Sequence, residues 1–312
     1  MTDAPGPELV PGHHIRPATW DDLSGIVETM RAVDLHDWGA EVGEENDIRR
    51  DWGLPSFDLE RDTVVAVGDR GEIVAYAVDL KEGDAPEVFS IGFVHPASRG
   101  RGIGAVLLEW VEARAREILA RRDGLVRGLA APNDADGRLF TLRGWVFARA
   151  METMIASLDD EPPEVRVRDV EIRPFRSGEE GAVHAVLMSA FAGHFGFTEV
   201  SLEEWRGAYL ASPRADTGLW FVAEGDGVVV GAAIGVVRLG IGWVAEVGVL
   251  DKWRRRGIGA ALTARLMYEF RGRGESKVGL NVDPLNETGA KRLYERLGFT
   301  RDRRIDFYEL KI

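Results

Sequence analysis

The stretch Arg254-Arg255-Arg256-Gly257-Ile258-Gly259-Ala260 follows a strand-like apolar segment, Trp243 to Val249, and precedes a segment with helical periodicity. Its glycines allow the backbone to approach a ligand, and the helix after them offers unpaired N–H groups and a positive dipole end. Its arginines add donors for charge-assisted hydrogen bonds to an anion. The stretch therefore predicts a strand, a turn and a helix that together bind a pyrophosphate.

A second copy of this loop lies earlier in the chain, as Arg99-Gly100-Arg101-Gly102-Ile103-Gly104-Ala105. A single turn of this kind can serve only to pack a helix on its strand, but its recurrence after another β-rich stretch favours ligand binding. The glycine spacing differs from the dinucleotide-binding fingerprint, and neither loop continues into the Gly-Lys-Ser/Thr of a Walker motif. The two loops therefore indicate a phosphate-containing ligand of another class.

The loops belong to a longer internal repeat, in which each block recurs 154 to 157 positions later in the same order. The other matching blocks are Ile15-Arg16-Pro17 with Ile172-Arg173-Pro174, Thr63 to Gly71 with Trp220 to Gly227, and Arg143-Gly144-Trp145 with Leu297-Gly298-Phe299. Such self-similarity indicates a duplicated domain. Between the copies, Ser157 to Glu164 is acidic and contains a Pro-Pro pair, which is typical of an extended linker. We therefore predict two domains, residues 1–158 and 165–312.

Each half has the same predicted order of elements. Apolar residues recur at every fourth position after each loop, which predicts a helix with one apolar face. These residues are Ile258, Leu262, Leu266 and Phe270 in the second half and Ile103, Leu107, Val111 and Ala115 in the first. A hairpin with a Gly-Asp turn precedes each loop. A second helix, Glu287 to Leu297, and a closing strand, Asp306 to Ile312, end the chain, so that each half reads as a mixed α/β fold.

Composition limits the classes of partner. The chain has 312 residues, a formal net charge of −13 and no cysteine. An acidic surface disfavours nucleic acid, and the lack of cysteine excludes disulfides, thiolate metal sites and cysteine nucleophiles. No apolar run reaches the roughly 18 residues of a membrane span, and Met1 to Gly12 lacks the features of a signal peptide. We expect a cytoplasmic protein with no metal, nucleic-acid or membrane partner.

The second loop, followed by Asn286 and by Leu293-Tyr294-Glu295-Arg296-Leu297-Gly298-Phe299, resembles the GNAT (Gcn5-related) N-acetyltransferase superfamily. The resemblance covers nearly the whole chain, and the doubled layout is similar to the mycothiol synthase branch of tandem acetyltransferases. It implies two tandem GNAT folds, each with a mostly antiparallel central sheet that is splayed between its fourth and fifth strands and flanked by helices. It also implies acetyl-CoA as co-substrate, bound in the splay, and direct attack of an amine on the thioester.

The resemblance assigns acetyl-CoA binding to the end of one strand, the loop and the start of the next helix in each half. The residues so assigned are Val247, Gly248, Val249, Arg254, Arg255, Arg256, Gly257, Ile258, Gly259, Ala260 and Asn286 in the second half, and Phe93, Val94, Arg99, Gly100, Arg101, Gly102, Ile103, Gly104 and Ala105 in the first.

The two halves differ at the residues that direct transfer needs. Aligned on the loops, Glu246, which resembles the general base of the family, stands opposite Ile91. Aligned on the last glycine, Tyr294, which resembles the general acid, stands opposite Phe140. We therefore predict that the second half is catalytic and that the first binds CoA or supports the fold. Two alternatives stay open: a structural ion pair for Glu246, and a merely half-buried helix aromatic for Tyr294.

The acceptor site is expected in two segments, Arg31 to Asp62 and Phe191 to Asp216, and His194 is the candidate for substrate contact. The predicted activity is transfer of an acetyl group to a primary amine of a small molecule, with a mycothiol-type cysteinyl amine suggested by the resemblance. The alternative is a non-catalytic acyl-CoA-binding or sensing module. An internal pseudo-dimer in one chain predicts a monomer.

Overall fold

The computed structural model describes residues 12–54, 56–81, 86–120, 123–131, 134–210, 215–286 and 288–312. The helices and strands of the first half are β1 (His13–Arg16), α1 (Leu23–Trp38), α2 (Glu45–Trp52), α3 (Leu59–Asp62), β2 (Thr63–Gly68), β3 (Ile73–Leu80), β4 (Glu87–Val94), α4 (Ile103–Ile118), β5 (Leu125–Ala130), α5 (Asp134–Leu142) and β6 (Val146–Ser157). Those of the second half are β7 (Glu171–Pro174), α6 (Glu180–Phe191), α7 (Leu202–Leu210), β8 (Trp220–Gly225), β9 (Val228–Arg238), β10 (Ile241–Val249), α8 (Ile258–Gly272), β11 (Lys277–Val282), α9 (Ala290–Arg296) and β12 (Thr300–Lys311). The predicted mixed α/β fold is confirmed.

The chain forms two compact units. The amino-terminal unit comprises the described residues up to Ala150 together with Ile305–Ile312, and the carboxy-terminal unit comprises Met151–Arg304. Strands follow the order β1-β2-β3-β4-β5-β12 in the first unit and β7-β8-β9-β10-β11-β6 in the second. Only β4 with β5 and β10 with β11 are parallel, and the other described pairings within each unit are antiparallel.

The closing strand of each half completes the sheet of the other unit. Residues 152–157 of β6 pair with β11, and residues 306–311 of β12 pair with β5. The compact units therefore differ from residues 1–158 and 165–312 at these two strands. A strand-like sequence specifies its own extended backbone, but the partner edge is chosen by long-range packing, which the repeat pattern does not encode.

Two predicted elements of the second half have different bounds. β12 begins at Thr300, six positions before the predicted start of the closing strand. α9 begins at Ala290 because Gly289, with φ of +76°, caps it in the left-handed region. Residue 287, at which the helix was predicted to begin, lies outside the described residues.

The helix that follows each loop packs on its sheet through the predicted apolar face. Ile258, Leu262, Leu266 and Phe270 of α8 are each at most 1% exposed. The matching residues of α4, which are Ile103, Leu107, Val111 and Ala115, are each at most 4% exposed. Phe270 lies so close to the backbone of β10 that a side chain at Gly242 would collide with its ring. This packing places the start of α8 at the end of β10.

Candidate active site

The parallel strands β10 and β11 separate soon after they meet. They pair only at Gly242 with Val278 and at Trp243 with Gly279, although β10 continues to Val249. In the amino-terminal unit, β4 and β5 pair from Glu87 with Leu125 to Ser90 with Gly128, and β4 also continues beyond this point. Each unit therefore contains the splay expected between its fourth and fifth strands, and each splay opens toward a glycine-rich loop.

A β-bulge distinguishes β10 from β4. The register of β9 and β10 shifts between Val244 and Glu246, which leaves Ala245 as an extra residue. The corresponding pairing of β3 with β4 is regular from Ala75 with Val94 to Leu80 with Phe89. A bulge bends its strand and redirects the side chain that follows it. Glu246 is that side chain, and it lies beyond the last pairing of β10 with β11.

The Glu246 carboxylate is held on one side only. The Tyr209 hydroxyl of α7 donates a hydrogen bond to Oε1, whereas Oε2 is buried with no hydrogen-bond partner among the described residues. Burial raises the pKa of Glu246, and the Tyr209 hydrogen bond and the nearby His184 oppose that rise. No arginine of the described residues pairs with this carboxylate, so an ion pair does not account for it.

Tyr294 lies on α9, beside the start of α8. A Cβ atom added at Gly259 would be 3.3 Å from Cδ1 of Leu293, which shows how closely the two helices approach. The Tyr294 ring packs edge-on against Phe299 with centroids 5.8 Å apart. Burial raises the pKa of Tyr294 to about 12, so its phenol stays protonated at neutral pH and can act as a proton donor.

The loop before α8 leaves backbone donors available. Gly257 caps α8 with φ of +86°, and no side chain caps the helix. The backbone of Arg255 is also in the left-handed region, with φ of +62°, and the first loop has Gly100 at this position. Because the first N–H groups of a helix have no intrahelical acceptor, this turn presents donors to an anion. The loop before α4 has the same form, with Gly102 at φ of +90°.

The first arginine of each loop also has a structural role. Nε–H of Arg254 donates to the Val249 carbonyl at 3.1 Å, and a terminal N–H donates to the Ala190 carbonyl of α6 at 3.0 Å. Arg99 donates from Nε to the Val94 carbonyl and binds both carboxylate oxygens of Asp37 at 2.7 Å. These two arginines thus fasten their loops to a strand end and to the first long helix of the repeat.

The remaining cations of the second loop are exposed. Arg255 and Arg256 are both on the surface, and the guanidinium of Arg256 lies 4.6 Å from the centre of the Trp253 ring. Arg101 of the first loop is likewise exposed. Exposed guanidinium groups beside the free donors of a helix start are suited to a pyrophosphate.

His194 and Asn286, predicted for different ligands, lie together. Nδ2 of Asn286 is 3.4 Å from Nε2 of His194, and the His194 ring packs edge-on against Phe191 at 5.1 Å. Burial and the positive charge of Arg254 lower the pKa of His194, so the imidazole is neutral at physiological pH. The structure therefore joins the candidate acceptor loop to the turn between β11 and α9.

The matching positions of the amino-terminal unit are filled by apolar rings. Phe140 stacks on Tyr308 with centroids 4.8 Å apart, and Phe93 packs on Tyr76 at 5.5 Å. Phe93 occupies the position that Gly248 has in the second half. A Cβ atom added at Gly248 would be 2.9 Å from the Cβ atom of Ala190, so a side chain does not fit there. Ile91 offers no carboxylate, and residues 132 and 133, the counterparts of Asn286, lie outside the described residues.

Sequence reasoning missed Tyr209, the hydrogen-bond partner of Glu246, and the ring cluster that it joins. Trp205 and Tyr209 of α7 pack at 5.2 Å, Trp205 packs on Trp220 at 5.5 Å, and His184 of α6 lies 5.8 Å from Trp205. The spacing of Leu202, Trp205 and Tyr209 is helical and could have predicted α7. No local pattern, however, indicates that Tyr209 contacts a strand 37 positions later.

Comparison with known proteins places this geometry in a family. The model of the acetyltransferase (GNAT) family matches residues 27–145 and 182–299. The chain belongs to this family. A mycothiol acetyltransferase of Thermomonospora curvata is 39% identical over 283 residues, which cover 89% of this chain and 90% of the relative. A mycothiol acetyltransferase of Thermobispora bispora is 34% identical over 242 residues, which cover 75% and 78%.

Solved structures agree on the architecture of this GNAT protein. A GCN5-related N-acetyltransferase from Sphaerobacter thermophilus has a TM-score of 0.85 and 29% identity, over 97% of each chain. A tandem GNAT protein from the clavulanic acid biosynthesis pathway has a TM-score of 0.70 and 17% identity, over 96% of this chain and 98% of its own. The second likeness concerns the fold alone, and it confirms the tandem arrangement.

Family membership makes the chain an acyltransferase enzyme, which sets aside the non-catalytic module. Acetyl-CoA is the co-substrate of the family, and the residues present fit it: backbone donors at the start of α8, which no side chain caps, exposed arginines, and an opening between β10 and β11. Within the described residues, no three His, Asp or Glu side chains form a group able to hold a metal ion, and no helix is long and apolar enough to cross a membrane.

Proposed function

We propose that the chain transfers the acetyl group of acetyl-CoA to the primary amine of a small molecule and that the second repeat, residues 165–312, performs the chemistry. The observation that carries this proposal is the carboxylate of Glu246, whose Oε2 has no partner among the described residues and which lies beyond the last pairing of β10 with β11. The first repeat, residues 1–158, has Ile91 at the matching position.

The mechanism assigns one task to each group. Acetyl-CoA supplies the reactive thioester, and the start of α8 with Arg255 and Arg256 binds its pyrophosphate. Glu246 accepts a proton from the acceptor ammonium, which frees the nitrogen lone pair to form the new C–N bond. As the C–S bond breaks, Tyr294 gives its proton to the departing sulfur. The new amide nitrogen loses its second proton, which returns to the Tyr294 phenolate through solvent, so that one proton is released overall from Glu246. Asn286 and the backbone of β10, from Val247 to Val249, hold the donor in the splay.

The acceptor is proposed from the relatives. Since two mycothiol acetyltransferases align with most of this chain, we assign the acceptor to the same chemical class, a mycothiol-type cysteinyl amine. His194 stands at the acceptor loop and, as a neutral imidazole, can exchange hydrogen bonds with the polar groups of this substrate. The protein is proposed to act as a monomer.

The first repeat is proposed to bind CoA without acetylating an amine. Its loop has the same glycine conformations as the second, while Phe140 and Ile91 replace the acid and the base. Its cofactor residues then include Arg101, Gly102 and the other positions assigned above. If it binds no CoA, its role is to support the fold.

The test is release of CoA thiol from acetyl-CoA over a panel of amines that includes the cysteinyl amine precursor of mycothiol. We expect turnover to be fastest with this precursor and Tyr294→Phe to lower kcat by about 10²-fold or more. Tyr268→Phe, which removes a half-buried phenol from α8, is the matched control and keeps wild-type turnover. If the wild type acetylates no amine of the panel, the proposal fails, and unchanged kcat in Tyr294→Phe removes the acid assignment alone.

A further inference from the structure

We infer that Tyr209 is a positioning residue for acetyl transfer, because its phenol holds Oε1 of Glu246 and so makes Oε2 the oxygen that takes the proton of the amine. This inference rests on the proposed role of Glu246 as the base. It concerns a residue of α7 that does not itself contact the reacting atoms.

The phenol of Tyr209 is held in a fixed place. Its ring packs against Trp205 at 5.2 Å and against Trp220 at 6.2 Å. Those two tryptophans are only 1% and 2% exposed, so the wall behind the ring is part of the core. A donor anchored in this way cannot follow the carboxylate if the carboxylate turns. The hydrogen bond therefore restricts the rotation of Glu246 and keeps its two oxygens distinct.

Tyr209 can only donate in this hydrogen bond. Burial and the neighbouring charge of Glu246 both raise the pKa of the phenol, so it stays protonated throughout the range in which the enzyme works. Oε1 is thus occupied by a donor, while Oε2 has no partner among the described residues. A general base needs a free lone pair, and Oε2 is the oxygen of Glu246 that keeps one.

The same hydrogen bond lowers the pKa of Glu246 against the rise that burial causes. Burial alone raises the pKa of a carboxyl group, and a protonated Glu246 could not act as a base. The donor from Tyr209 and the nearby His184 both favour the carboxylate. These are the titratable groups that bear on Glu246 from the described parts of α6 and α7, and Nε2 of His184 is engaged with the Val200 carbonyl at 2.9 Å.

The experiment is the pH profile of kcat/KM for the full chain with its best amine, in the wild type and in Tyr209→Phe. Loss of a hydrogen bond to the charged form of a carboxyl group raises its pKa, so we expect the acidic limb of the Tyr209→Phe profile to move to higher pH by about one unit or more. We expect kcat to fall and KM for acetyl-CoA to stay unchanged. Tyr268→Phe, the same deletion on α8, keeps the wild-type limb.

The variant Glu246→Gln distinguishes failure of the Glu246 base assignment from failure of the Tyr209 assignment. If Glu246→Gln keeps the acidic limb, Glu246 is not the base, and the proposed function loses that residue. If Glu246→Gln removes the activity but Tyr209→Phe keeps the wild-type limb, Tyr209 has only a packing role and the inference is overturned.

A second measurement does not depend on folding of the tyrosine variant. The infrared difference between wild type and Glu246→Gln reports the protonated carboxyl group of Glu246. We expect it to disappear at or below the pH at which kcat/KM reaches its plateau. A carboxyl band that persists well above that pH would show that Glu246 is protonated where the enzyme works. That result would remove Glu246 as the base and overturn the inference with it.

Discussion

Asp79 of the amino-terminal unit and Glu246 of the carboxy-terminal unit have nearly the same local chemistry. Both are buried carboxylates, and in each a hydroxyl donates to one oxygen: the Ser90 hydroxyl to Oδ1 of Asp79, and the Tyr209 hydroxyl to Oε1 of Glu246. The second oxygen of each carboxylate has no partner among the described residues. Burial raises the pKa of both, that of Asp79 to about 8.

The two carboxylates differ in their place relative to the strand opening. Asp79 is 1% exposed, and its partner Ser90 lies where β4 is still paired with β5 through Gly128. Glu246 follows the bulge of β10, lies beyond the last pairing with β11 and retains some exposed surface. A perturbed pKa therefore does not by itself identify a catalytic acid or base, since only one of these two groups lies beyond the point at which the parallel strands separate.

Neutralising each carboxylate in turn is expected to give the largest difference in activity between the two units. We expect Glu246→Gln to lower kcat/KM for the best amine by about 10²- to 10⁴-fold, because an amide cannot accept the proton. Asp79→Asn, the matched change in the other unit, should keep turnover within about twofold. Steady-state kinetics on both variants measures this, and equal losses would contradict the division of roles between the units.

The pH dependence of unfolding, compared between wild type and Asp79→Asn, tests the protonation state of the buried Asp79. The pKa of Asp79 is higher in the folded than in the unfolded state, so its contribution to stability is complete below about pH 4 and is lost as pH rises toward about 8. In Asp79→Asn this loss is absent. We therefore expect the variant to gain stability over wild type by up to about 1.4 kcal/mol per pH unit across that window.

Denaturant unfolding at pH 4, 6 and 8 gives the measurement. The two proteins should be nearly equal at pH 4 and should differ most at pH 8. A difference that does not depend on pH would mean that Asp79 does not titrate across this range, and that the variant acts through packing alone.

A smaller effect is expected at the helix starts. Gly257 and Gly102 both have a positive φ that costs an L residue about 1–2 kcal/mol, so alanine at either position disturbs the turn that presents the N–H donors. We expect Gly257→Ala to weaken CoA binding to the active repeat by about tenfold, with turnover falling accordingly. Gly102→Ala should leave turnover unchanged.

Calorimetry with CoA counts the sites in each variant. Two bound CoA molecules in the wild type, one of them weakened by Gly102→Ala, would support binding by both repeats. One bound CoA that only Gly257→Ala weakens would make the first repeat a support for the fold. Loss of turnover in Gly102→Ala would contradict the assignment of chemistry to the second repeat.

The duplicated α/β fold and the prediction of two anion-binding loops follow from the sequence alone, because both depend on local spacing and on the repeat. The choice of Glu246 and Tyr294 as candidates rests on the family resemblance together with comparison of the two repeats. The exchange of β6 and β12, the bulge at Ala245 and the contact of Tyr209 with Glu246 are visible only in the tertiary structure. It also gave the arginines at 99 and 254 their structural contacts. These features join residues far apart in the chain, and a side chain's identity does not specify which distant donor packing will place against it.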